Sequence, residues 1–162
     1  MTSIDLLLQR NSDSGATGAD GLAAAPSLRV AIVTCMDARI LVPEVFGLAK
    51  GEAHVLRNAG GVVTDDVIRS LALSQRKLGT REVLVVQHTE CGVGTVTEDG
   101  FKDELEDDTG LRPPWAVEAF RDVEANVRQS AERVRRSPYL PHTDAVRGFV
   151  YDIRAGTLTE ID

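Results

Sequence analysis

The chain has 162 residues, 25 of them acidic and 18 basic, for a formal net charge of −7. That length suits one domain with its own core, and the acidic balance repels phosphate backbones and anionic lipid surfaces, so neither nucleic acid nor a membrane is expected as a partner. No apolar run is long enough to span a bilayer, and no basic-then-apolar leader opens the chain. With only two cysteines, a reducing cytoplasmic setting is expected, in which thiols meet a metal or do chemistry rather than cross-link.

Ile4-Asp5-Leu6-Leu7-Leu8 predicts one or two helical turns. The stretch from Asn11 to Ala25, rich in Ser, Gly, Ala and Asp, reads as a connection. From Leu28 onward strands and helices alternate: a strand over 28–34, a short helix over Val42–Phe46, a strand over Ala53–Arg57, a helix over Asp65–Leu78 and a strand over 82–87. Thr64 is a natural N-cap for the longer helix, with Asp65 and Asp66 where its dipole favours negative charge and Gly79 as the stop. A further short helix is expected over Phe101–Glu106. Phe120, Val123, Val127, Ala131 and Val134 then follow helical spacing until Pro138 ends the run. Arg147 to Ile153 alternates as a strand, and Ala155-Gly156 turns into Leu158–Ile161 as a terminal hairpin. The expected fold is α/β: a mostly parallel central sheet flanked by helices, with a C-terminal strand or hairpin.

Both cysteines fall at the ends of predicted strands. Cys35 closes the first, and Cys91 lies just past the 82–87 strand with His88 between. In a parallel sheet, ligands bind outside the carboxyl ends of the strands, so Cys35, His88 and Cys91 can converge if those two strands are neighbours. Two thiolates and an imidazole suit Zn2+, and three protein ligands leave a tetrahedral ion one open position, as a catalytic site requires. Because the thiolates cancel the ion's charge, water there is acidified less than by three histidines and needs help. Asp37 can orient it as an acceptor. Arg39 can grip Asp37 with its guanidinium fork and keep that carboxylate off the metal.

The Cys35-x-Asp37-x-Arg39 loop, the His88-x-x-Cys91-Gly92 loop and Arg57-Asn58-Ala59-Gly60-Gly61 with its following helix resemble, in the same order, the beta class of carbonic anhydrases. The resemblance is strongest from Leu28 to Cys91 and continues through Arg147–Asp152. Met36-Asp37-Ala38-Arg39 and the compact length look like a short actinobacterial branch that also includes carbonyl sulfide hydrolases. The resemblance implies attack of a metal-bound hydroxide on CO2 to give bicarbonate, with Cys35, His88 and Cys91 as ligands and Asp37 and Arg39 as the catalytic dyad. It also implies a homodimer or homotetramer. On this reading residues 1–26 form an N-terminal arm and flexible connection, and 27–162 a single zinc-binding catalytic domain. Members regulated by bicarbonate carry a tryptophan where this chain has Ile32, so that regulation is not expected although Arg57 matches the arginine of the regulatory site.

Carbonyl sulfide, equally linear, neutral and electrophilic at carbon, is the alternative substrate, giving hydrogen sulfide and CO2. A third reading is a zinc-bound sensor or structural subunit without turnover, against which the intact Asp37 and Arg39 argue. Gly60 and Gly61 are candidates for lining the substrate pocket. His54 is expected to be a satisfied strand histidine rather than a proton relay. Trp115 is read as packing either on a partner subunit or on the core.

Overall fold

The computed structural model describes residues 2–16, 18–19 and 21–162. Its centre is a five-stranded sheet in the order β2-β1-β3-β4-β5, built from β1 (Val30–Cys35), β2 (Ala53–Asn58), β3 (Glu82–His88), β4 (Val146–Asp152) and β5 (Thr157–Ile161). The first four strands are parallel, and β5 returns antiparallel along β4. β1 pairs with β2 on one side and β3 on the other, so the chain reverses its direction of winding between β1 and β3. That reversal opens a crevice at their carboxyl ends, the place where such sheets bind ligands.

One face of the sheet is covered by α3 (Asp65–Leu78) and α5 (Val123–Arg135). Their Val67, Leu71, Ala131 and Val134 pack onto Ala31, Val33, Val83 and Val85. α3 shows why the residues choose this element. Thr64 Oγ1 accepts the Val67 N–H, Asp65 and Asp66 occupy the first turn, Arg76 and Lys77 the last, and Gly79 closes it. Its buried residues Val67, Leu71, Ser74 and Gln75 recur at helical spacing on the sheet side. The other face is thinner, covered by α2 (Val42–Phe46) and its flanks, where Ile40, Val42 and Phe46 cover Ile32 and Val86.

Three elements depart from the sequence expectation. The N-terminal helix α1 runs Ser3–Asp13, longer than one or two turns and into the expected connection. A capping box accounts for it: Thr2 Oγ1 accepts the Asp5 N–H at 3.1 Å while Asp5 accepts the Thr2 N–H at 2.7 Å. α4 spans Glu98–Thr109 rather than 101–106, because Thr97 caps it one turn earlier through the Gly100 N–H. Phe120 lies outside α5, which starts only after its Asp122 cap accepts the Ala125 N–H. No helix among the described residues is long and apolar enough to cross a membrane.

Candidate metal centre

β1 delivers Cys35 and β3 delivers His88, side by side, because Thr34 pairs with Val86 in the parallel ladder. The loop after β3 then brings Cys91 back beside them. It is pinned where the Thr89 N–H donates to Tyr151 O and the Ile153 N–H to Thr89 Oγ1, so the end of β4 holds the second ligand loop. Glu90, between the histidine and the second cysteine, takes a left-handed backbone with φ 56°. This conformation is uncommon for a non-glycine residue and turns the chain sharply enough to return Cys91 to the cluster.

The donor atoms of Cys35, His88 and Cys91 all lie within 4.8 Å of one another. The two sulfurs are 3.8 Å apart, far beyond a disulfide of about 2.05 Å. They match the spacing of about 3.8 Å that follows when two sulfurs sit about 2.3 Å from a tetrahedral zinc. His88 is turned for the same purpose. Its Nδ1 donates to Thr89 O at 2.8 Å, which fixes the tautomer and leaves the buried Nε2 as an acceptor without a hydrogen-bond partner among the described residues. A buried acceptor aimed at two thiols is costly unless a cation meets it. The thiols titrate as a pair: the S–H of Cys91 beside Cys35 holds the Cys35 thiol well below the ordinary range, and Cys91 is correspondingly raised. The residues present therefore fit a thiophilic dication.

Asp37 and Arg39 stand beside this cluster. Arg39 grips Asp37 bidentately, Nε to Oδ1 at 3.0 Å and Nη2 to Oδ2 at 2.8 Å, and its main-chain N–H adds a second bond to Oδ1 at 2.9 Å. These bonds hold the Asp37 carboxyl well below the usual carboxylate range, the Arg39 side chain being the main cause. Oδ1 thus has both acceptor positions filled, whereas Oδ2 keeps one free and lies 3.8 Å from His88 Nε2. Arg39 Nη2 also donates to Glu90 O at 3.1 Å, tying the two ligand loops together. Arg57 supports the first loop from β2, donating to Cys35 O at 2.8 Å and Asp37 O at 2.7 Å.

A cavity of about 310 Å3 opens onto Cys35, Asp37 and Cys91, with walls of Met36, Gly60, Val93, Val96, Phe101 and Val117. Gly60 lines it with φ 80°, and a Cβ there would meet Phe120 at 2.9 Å. Gly61 instead packs against β1, where a Cβ would fall 2.8 Å from Cys35 N. The sequence reading missed Val93, Val96, Phe101 and Val117. Only Phe101 carried a signal, as an apolar residue among Glu98, Asp99, Lys102 and Asp103. His54 is bonded at both nitrogens, to Ser74 Oγ at 2.7 Å and Ala24 O at 3.2 Å. Trp115 is 53% exposed and does not cap the core. A larger groove of about 790 Å3 along α3 contains no cysteine or histidine and lies away from this chemistry.

Comparison with known proteins agrees with this geometry. Residues 30–116 match the carbonic anhydrase family model. The chain is 48% identical to beta-carbonic anhydrase 1 of Mycobacterium tuberculosis over 99% of both chains. It is 35% identical to the carbon disulfide hydrolase of Saccharolobus solfataricus, over 80% of this chain and 76% of that one. The crystal structure of a carbonic anhydrase from Streptococcus mutans superposes with a TM-score of 0.91 at 40% identity, covering 100% of this chain and 99% of the other. With a parallel sheet, a Cys-His-Cys cluster at its switch point and relatives matched end to end, the chain belongs to the beta-carbonic anhydrase family of enzymes.

Proposed function

We propose that the protein catalyses the reversible hydration of CO2 to bicarbonate, using zinc held by Cys35, His88 and Cys91 and oriented chemistry from Asp37 and Arg39. When bound, zinc supplies a Lewis acid that makes water nucleophilic near neutral pH. Asp37 Oδ2, 3.8 Å from His88 Nε2 and with one acceptor position free, would take the proton of a water held at the cluster and so orient it toward the cavity. Arg39 keeps the carboxylate ionised and stops it swinging onto the metal. The Met36, Val93, Val96, Phe101 and Val117 walls offer a small neutral molecule an apolar seat without competing hydrogen bonds. The observation that carries the reading is the three-donor cluster with Asp37 Oδ2 held beside it, 3.8 Å from His88 Nε2, by the Arg39 fork.

The same residues support a second reading, hydrolysis of carbonyl sulfide to hydrogen sulfide and CO2. The apolar cavity and the carbon disulfide hydrolase relative favour it as the runner-up. Residues 27–162 would act as one catalytic domain. Two free thiols favour a reducing, cytoplasmic setting. A homodimer is supported by α1, whose Ile4, Leu7 and Leu8 are 69%, 62% and 66% exposed and unburied by their own chain.

The test is a parallel assay of the zinc-loaded protein, following CO2 hydration by stopped-flow pH change and carbonyl sulfide by sulfide release. CO2 turnover lost on chelation and restored by zinc is the expected result. Dominant sulfide release would establish the second reading, and inertness toward both would leave a non-catalytic metal protein.

A further inference from the structure

The cavity beside the cysteines has two walls of different origin. Cys35, Met36, Gly60, Cys91 and Val93 belong to strand ends and the loops directly after them. Phe101 and Val117 come from α4 and from residues 110–122, a strap without helix or strand. No sheet ladder fixes that second wall, so side chains must hold it.

Glu98, the first residue of α4, is the main fastening. Its two carboxylate oxygens both lie 3.0 Å from the Val117 N–H, and Oε2 also accepts the Glu118 N–H at 3.1 Å. Lys102, one turn along, pairs with Oε1 at 2.8 Å. Glu118 has a left-handed φ of 58°, the kind of backbone that lets two successive N–H groups converge on one anion. Glu98 is itself partly exposed, but it bonds main-chain N–H groups, whereas the strap's salt bridges join side chains: Arg112 to Asp99, Asp103 and Glu106, all substantially exposed, and Glu118 to Arg133 of α5 at 3.7 Å. Such pairs contribute little.

Resting on the proposed hydration activity, we infer that Glu98 is a positioning residue for substrate selectivity. By holding the main chain at Val117 and Glu118 it sets the distance between the strap wall and the metal ligands, and hence how well the site excludes carbonyl sulfide relative to CO2. Both substrates are linear, neutral and electrophilic at carbon, so an apolar cavity can separate them only by fit. Sulfur's greater bulk makes carbonyl sulfide the more sensitive of the two to where the strap wall stands. Removing the carboxylate leaves the N–H groups of the half-buried Val117 and Glu118 without their protein acceptor and frees the strap to re-seat.

The experiment uses the full zinc-loaded chain as wild type, Glu98→Ala, Glu98→Gln and Val117→Ala. It measures kcat/KM for each substrate, zinc content, and acrylamide quenching of Trp115, the one tryptophan of the chain and part of the strap. Glu98→Ala should raise the carbonyl sulfide to CO2 ratio about tenfold, the scale on which apolar pockets discriminate by size. Zinc content should hold and Trp115 should become easier to quench. Glu98→Gln keeps one acceptor oxygen and should shift the ratio in the same direction by about threefold, which keeps the inference testable if the alanine variant fails to fold. Val117→Ala should raise the ratio while leaving Trp115 quenching unchanged. A wild type active on CO2 whose ratio stays within about twofold across the variants would overturn this inference alone. A wild type inert toward both substrates would overturn the proposed function, and this inference with it.

Discussion

The two halves of the site are built by different means. Cys35 and His88 end parallel strands joined by a continuous ladder, and Cys91 sits one tight loop later, anchored to β4 through Thr89. Phe101, Val117 and Phe120 instead hang from one helix and an irregular strap, fastened by the Glu98 carboxylate and by partly exposed salt bridges from Arg112 and to Arg133. The ladder places atoms that must meet an ion within tenths of an ångström. The strap places apolar surface that need only leave the right amount of room. Reaction type is thus assigned to the rigid half and choice of substrate to the adjustable half.

The sharpest way to break this contrast is to strike the rigid half at a ligand. Cys91→Ala should abolish stoichiometric zinc binding and lower CO2 turnover at least about a thousandfold, because two donors cannot hold a catalytic ion. Zinc analysis and stopped-flow rates check it, and full zinc occupancy in the variant would remove Cys91 from the ligand set. Beneath the ligands, Leu71 is fully buried between α3 and the sheet. Leu71→Ala should cost about 2–5 kcal/mol of global stability in denaturant titration. The smallest effect is expected in the strap half. Thr97→Ala removes the N-cap of α4 and should cost about 1 kcal/mol, visible as easier quenching of Trp115 with zinc content unchanged. A loss at Thr97 as large as that at Leu71 would erase the distinction between the halves.

The same contrast explains what could be read before the fold was known. Cys35, His88 and Cys91 were legible because each follows an apolar run whose strand character is plain, and parallel strands bring their carboxyl ends together. Asp37 and Arg39 were legible because the spacing lets the fork close within one loop, as it does at 3.0 and 2.8 Å. Asp65–Leu78 was bounded by its Thr64 cap and its Gly79 stop. The strap was opaque. It has no period, and Phe120 fitted the helical spacing of Val123 and Val127 until Asp122 capped α5 after it. Glu98 carried no signal of its own in the sequence, yet it spends its carboxylate on main-chain groups 19 and 20 residues away. Side chains that serve distant backbone leave no pattern in the sequence.

The central claim is that Asp37, held by Arg39, does chemistry beside the metal instead of binding it. The most direct measurement compares Asp37→Ala with wild type for zinc content and CO2 hydration in the same preparation. The account predicts equal zinc and turnover lowered about a hundredfold or more, the scale for removing a positioned proton acceptor. Wild-type turnover in the variant, or loss of zinc along with Asp37, would contradict it.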